Sequence, residues 1–272
     1  MRTIAIDGTR RRLFVADAGR VFLAPLAAEG QRELVVELDS PCTSLHVTDD
    51  ALVIGEENGT AWHRSVDRGE STLLFRHTAA ILDCRPFAGG YAVLDGTLAA
   101  HVRTPAGMQS IAVEGPVFTI GAGESGVWLL AGFDLLHWNG TTTVTHPLLD
   151  PYLTEAQSGA MAFSPHCRAL VSHWDDGRVI ALPRVETVHV FPWTKQATAV
   201  AVSDDAARTL LGGFDGSLRV VDAGGRELFA RTVAKSPIAR LEIASDGVLA
   251  AFLAEDGAFG VLDTASGALL AV

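Results

Sequence analysis

The sequence predicts an all-β chain folded as a seven-bladed β-propeller with four-stranded antiparallel blades. A turn made of an acidic residue or Asn followed by Gly returns about every 40 residues. Asn58-Gly59, Asp95-Gly96, Asp176-Gly177, Asp215-Gly216 and Asp256-Gly257 each lie between two short apolar runs. Ala18-Gly19 opens the series, and Gly132-Phe133-Asp134 stands in for the member missing between Gly96 and Gly177. Units of that period built from short strands are the mark of a propeller. Length agrees, since 272 residues over seven units leaves about 39 each, one four-stranded blade. The apolar fraction of 48% agrees too, because only the outermost strand of each blade keeps a solvent face.

Blade one takes residues 1–39 and is the least regular; its Arg10-Arg11-Arg12 run reads as a solvated turn between two strands. Blade two takes 43–76, blade three 80–115 and blade four 116–147. The link 147–157 is the longest in the chain, and 149–157 is the one stretch with room for a turn of helix. Blade five takes 158–193. Blade six, 197–235, shows the scheme best. Thr198-Ala199-Val200-Ala201-Val202 alternates and ends on Ser203-Asp204-Asp205; a second strand spans 209–213, a third 217–221 and an outer one 227–230. Blade seven takes 238–272. These seven units leave no residues for a second domain. Each end of the chain holds a complete blade, so either the ring closes by side-chain packing or a boundary is off by one strand.

Phe214-Asp215-Gly216-Ser217-Leu218-Arg219-Val220-Val221-Asp222 resembles the WD-repeat signature, in which an Asp-Gly turn leads into a strand ending in Trp-Asp. Ala162-Phe163-Ser164-Pro165 is similar to the end of that family's first strand. Arg76-His77-Thr78-Ala79-Ala80-Ile81 is similar to the Gly-His that opens a repeat. Val221-Asp222 and Leu262-Asp263 stand where Trp-Asp is usual. The resemblance implies a scaffold that binds other proteins, usually without catalysis. It also implies that the family's His/Ser/Asp/Trp hydrogen-bond network is mostly missing here, so that apolar packing holds most blades.

Charge narrows the partners. With 32 Asp and Glu against 21 Lys and Arg the net charge is −11, a poor match for a phosphate backbone, so no nucleic acid is expected. No apolar run reaches the roughly 18 residues of a membrane helix, and the N-terminus turns polar too early for a signal peptide, so no membrane partner and a cytoplasmic location are expected. Cys42, Cys84 and Cys167 are widely spaced with no CxxC pair and read as reduced, with Cys84 and Cys167 in or beside inner strands as apolar filler. No phosphate loop, HExxH or GxSxG is present. The nine histidines are scattered over different blades, and His101, His137 and His189 fall inside strands as satisfied structural residues. Asp49-Asp50 and Asp204-Asp205 read as turn carboxylates bonding local amides. No cofactor and no metal are therefore expected, and thermal stability is expected to be indifferent to chelator.

Two constellations remain. First strands line a propeller's channel, where His46, Asp83, Arg85, Thr119, Arg240 and Glu242 are polar; buried charge must be paired, and Arg85 with Asp83 or Arg240 with Glu242 can do so within one strand. The same residues could instead line a small-molecule or metal pocket, or a catalytic one. The second constellation is aromatic. Turns between second and third strands emerge on the same face as blade-to-blade links, and Phe133, Tyr152, Trp174, Trp193 and Phe214 fall in those positions. Aromatics there either cap gaps between blades or anchor a partner. The leading expectation is a non-enzymatic subunit or recruiter binding other protein subunits on that face; the alternatives are a ligand-binding or enzymatic channel, or a partner that dimerises through outer strands.

Overall fold

The computed structural model describes residues 2–24, 26, 32–48, 50–132, 134–147, 160–173, 176–192 and 197–271. Blade one comprises β1 (Arg2–Asp7), β2 (Arg12–Asp17), β3 (Arg20–Ala24) and β4 (Glu33–Glu37). Blade two has β5 (Cys42–Val47), β6 (Ala51–Glu56), β7 (Thr60–Ser65) and β8 (Ser71–Arg76). Blade three has β9 (Ile81–Phe87), β10 (Gly90–Asp95), β11 (Ala100–Thr104) and β12 (Gly107–Ser110). Blade four has β13 (Val117–Gly123), β14 (Gly126–Ala131), β15 (Asp134–Trp138) and β16 (Thr143–Pro147). Blade five has β17 (Ala160–Phe163), β18 (Ala169–His173), β19 (Asp176–Ala181) and β20 (Glu186–Pro192). Blade six has β21 (Ala197–Val202), β22 (Arg208–Gly213), β23 (Ser217–Asp222) and β24 (Glu227–Thr232). Blade seven has β25 (Ile238–Ile243), β26 (Leu249–Ala254), β27 (Phe259–Asp263) and β28 (Leu269–Ala271).

Each blade is a four-stranded sheet whose strands pair in chain order, and no helix occurs among the described residues: the fold is an all-β, seven-bladed β-propeller. The stretch 149–157 weighed for a helical turn lies outside the described residues. Second strands are mostly buried, end to end in β6 and β26, while outer strands such as β8 and β12 are mostly exposed. That gradient explains why the chain spends so many apolar residues. Internal contacts divide it into two compact units: Met1–Thr3, Val15–Phe22 and Glu33–Thr154, which holds blades two to four, and Ile4–Phe14 and Leu23–Arg32 with blades five to seven. In the first unit one apolar cluster joins blades three and four, from Ala92 and Val102 to Ile120, Leu129 and Trp138. In the second, Leu210, Val220, Ile238, Leu241 and Phe252 join blades six and seven.

Both terminal sheets are complete without a strand exchanged between them. Their meeting within the second unit is a side-chain affair. Gly8 approaches Ala244 so closely that an added Cβ would overlap the alanine methyl, and the Arg32 guanidinium sits 4.6 Å from the centre of the Phe259 ring. The basic turn before β2 is less solvated than its sequence suggests: Arg12 forks onto Asp7 Oδ2 through Nη2 at 2.7 Å and Nε at 3.0 Å.

The recurring glycines have a shared physical cause. In blade two, Gly59 has φ +87°, and its carbonyl accepts from His77 N in the link that leaves the blade. Gly216 in blade six has φ +71°, and Val233 N donates to it in the same way. The link lies flat on the turn, leaving no room for a Cβ at either position.

Candidate functional site

First strands are interrupted at a fixed place. In blades two, three, four, six and seven the register against the second strand slips at the second residue of the first strand: Thr43, Leu82, Phe118, Thr198 and Ala239. This is a β-bulge, which turns one side chain out of the ladder. Two of the five serve the scaffold. Thr198 Oγ1 donates to Ile238 O in the next blade at 2.7 Å, and Thr43 Oγ1 donates to Ile81 O. Leu82 and Phe118, on neighbouring first strands of the first unit, have no hydroxyl to make that bond. They are 38% and 56% exposed. Each bulge pairs with the end of its second strand, as Val117 does with Ala131, and so lies on the edge where second-to-third turns emerge.

Of the five aromatics expected to form a partner-binding face, Phe133, Tyr152, Trp174 and Trp193 lie outside the described residues. Phe214 is described, in the turn between β22 and β23, and is 61% exposed. Sequence reading missed Leu82 and Phe118 because both sit inside apolar strand runs that read as core. The signal that finds them is the blade-by-blade alignment of first strands, where Thr marks the structural solution.

The polar first-strand residues form ion pairs. Asp83 Oδ2 accepts from Arg85 Nε at 3.1 Å, as expected within one strand, and Arg240 Nε donates to Glu242 Oε1 at 3.1 Å. A further pair crosses blades two and three, with His46 Nε2 2.6 Å from Asp83 Oδ1. Cys84 N donates to that same oxygen at 2.9 Å, so both Asp83 oxygens are engaged. Thr119 is half-buried. The three thiols are buried and form no disulfide with one another, and burial, then the neighbouring Asp83, pushes the Cys84 thiol well above its ordinary range.

Two expectations for titratable residues need correcting. His101 is a satisfied strand residue, with Nδ1 3.0 Å from Ser110 Oγ, and His137 stacks on Trp128 with ring centres 4.1 Å apart. Yet the histidines are not all scattered: His101 Nε2 lies 2.9 Å from Asp95 Oδ2, and His77 Nδ1 reaches the same oxygen at 3.2 Å. The degraded Arg76-His77 and the Asp95-Gly96 turn were the two hints of this group. Burial would raise the Asp95 carboxyl, but the Thr97 hydroxyl, His101 and the amides of Ala99 and Thr97 hold it down at about 2.

Asp205 is a turn carboxylate as expected, accepting from Ser203 Oγ and Ala207 N. Its neighbour Asp204 instead clasps blade five, accepting from His166 N at 2.9 Å and facing His166 Nδ1 at 2.7 Å; Asp49 lies outside the described residues. Burial opposes ionisation of Asp204, yet the His166 bonds and a Ser164 bond lower its carboxyl below the ordinary 3.8. A carboxyl depressed in the folded state adds stability that is present above its unfolded value and lost as pH falls through the folded one. Asp204→Asn is therefore expected to lower urea resistance at pH 6 and to match the parent well below pH 4. Equal losses at both pH values would show that the carboxylate charge is not what the clasp uses.

No protein-family model and no curated protein sequence matches this chain. Among solved structures, 1613 chains match it, so the architecture is shared too widely to carry a function by itself. One of them, a chain titled "Crystal Structure of Mitotic Checkpoint Complex", superposes with a TM-score of 0.73 over 96% of this chain and 88% of its own, at 13% identity. At that identity the likeness shows the fold alone. No helix among the described residues is long and apolar enough to cross a membrane.

Proposed function

We propose that this chain is a non-enzymatic interaction module that seats a partner protein on the edge where its second-to-third turns emerge. The observation that supports it is the exposure of Leu82 and Phe118 at bulges whose counterparts in blades two and six hold Thr side chains bonded to the next blade. Neither side chain can make the cross-blade bond that Thr makes at that position, and large apolar groups left in water at an edge of rigid strands are where binding energy concentrates. In the second unit, Phe214 is likewise exposed, in the second-to-third turn of its own blade. The partner meets Leu82 and Phe118 with an apolar side chain of its own; the chain's acidic balance favours basic residues around that contact.

The likeness to a chain from a multiprotein complex agrees with this reading. A catalytic channel has less support, because the Asp83 carboxylate is already held by His46, Arg85 and the Cys84 amide.

Phe118→Ala is expected to weaken capture of the native partner about thirtyfold, the equivalent of roughly 2 kcal/mol for a central anchor. Val248→Ala removes an exposed apolar side chain from the first-to-second turn of blade seven, in the other unit, and is expected to change affinity little. Both variants, with far-ultraviolet circular dichroism as a fold check, would be titrated against a partner isolated from the native host. Parent-like affinity of folded Phe118→Ala would refute the assignment.

A further inference from the structure

We propose that His77, Asp95 and His101 form a binding site for a divalent transition-metal ion of the zinc class. Two imidazoles and one carboxylate converge, with one ligand atom from each lying within 4.8 Å of the others. The two His nitrogens stand 3.2 and 2.9 Å from Asp95 Oδ2. A tetrahedral ion with bonds of about 2.0 Å separates its ligand atoms by roughly 3.3 Å, so both His–Asp95 distances lie within a few tenths of an ångström of what an ion needs.

The surrounding hydrogen bonds fix the three ligand atoms in place. Asp95 Oδ1 is taken by Thr97 N, Thr97 Oγ1 and Ala99 N, which fixes the carboxylate and leaves Oδ2 as the oxygen directed at both rings. His101 Nδ1 is held at 3.0 Å by Ser110 Oγ, which aims Nε2 inward as outer partners of metal-bound histidines do. His77 Nδ1 lies between the Ala79 amide at 3.3 Å and Asp95 Oδ2 at 3.2 Å. It has one in-plane lone pair, so an ion between Nδ1 and Oδ2 takes the place of the long Ala79 contact. Asp95 and His101 are buried while the His77 side chain is 30% exposed, so water from that side supplies the fourth ligand.

The test is calorimetric titration of chelator-treated protein with zinc, repeated with cobalt(II) read by visible absorption, with melting temperature followed alongside. One equivalent is expected to bind, the cobalt spectrum to be that of a tetrahedral site, and EDTA to lower the melting temperature of the loaded protein. His77→Ala, at the exposed ligand, is expected to bind at least a hundredfold more weakly. Ser110→Ala keeps all three ligands and is expected to bind roughly tenfold more weakly, which preserves the test should His77→Ala not fold. A melting temperature indifferent to both zinc and EDTA, or a folded His77→Ala or Ser110→Ala with parental affinity, overturns the proposal in favour of a proton-held triad.

Discussion

Trp128→Ala is expected to remove about 3–5 kcal/mol of stability, a large share of the 5–15 kcal/mol that holds a typical domain. Trp128 lies mid-strand in β14 and is fully buried, among the largest side chains in the chain with no solvent contact. It also organises its neighbours. The indole Nε1 donates to Ser125 Oγ at 3.2 Å, His137 stacks on one face with an interplanar angle of 12°, and His146 lies 5.8 Å away. Truncation therefore leaves a cavity beside an imidazole whose Nε2 contact with Ser125 O, at 2.7 Å, was positioned by the stack. Trp128→Phe keeps most of the volume and the stacking partner, and is expected to lose far less. Urea unfolding followed by circular dichroism measures both. Similar losses for the two would mean that the indole N–H, and not the filled volume, carries the effect.

The fold was legible because the residues that set it are local. In blade six the strands read as 198–202, 209–213, 217–221 and 227–230 occur at Ala197–Val202, Arg208–Gly213, Ser217–Asp222 and Glu227–Thr232. Alternation and Asp-Gly turns determine these spans without help from distant parts of the chain. What stayed hidden depends on register. A single-residue bulge reverses which side chain faces out, and nothing in Val117-Phe118-Thr119-Ile120 announces one. The His77, Asp95 and His101 group escaped for a similar reason: two of its members flank the turn of blade three and the third comes from the preceding link. Ion pairs two residues apart on one strand, as in Asp83 with Arg85, were readable because strand geometry alone puts both side chains on one face.

The turn glycines allow the close-approach argument to be separated from backbone strain. Gly59 and Gly69 have similar conformations, with φ of +87° and +70°. They differ in what surrounds them. A Cβ at Gly59 would overlap the His77 carbonyl oxygen and stand 2.6 Å from that of Ala79, whereas at Gly69 the nearest atom is Arg64 Nη2 at 3.6 Å, the end of a flexible side chain. Gly69→Ala should therefore cost only the left-handed backbone penalty, about 1–2 kcal/mol. Gly59→Ala should add about 1–3 kcal/mol for pushing the blade-to-blade link off the turn. Gly216→Ala, whose Cβ would overlap the Ala234 carbonyl oxygen, should behave like Gly59→Ala. The link beyond Gly59 carries His77, so its displacement should also disturb the contact with Asp95, visible as a shifted His77 imidazole resonance in Gly59→Ala but not in Gly69→Ala. Denaturant midpoints for the three variants decide the matter. Equal losses at Gly59 and Gly69 would mean that φ alone explains the recurring glycine, and that the link yields without cost.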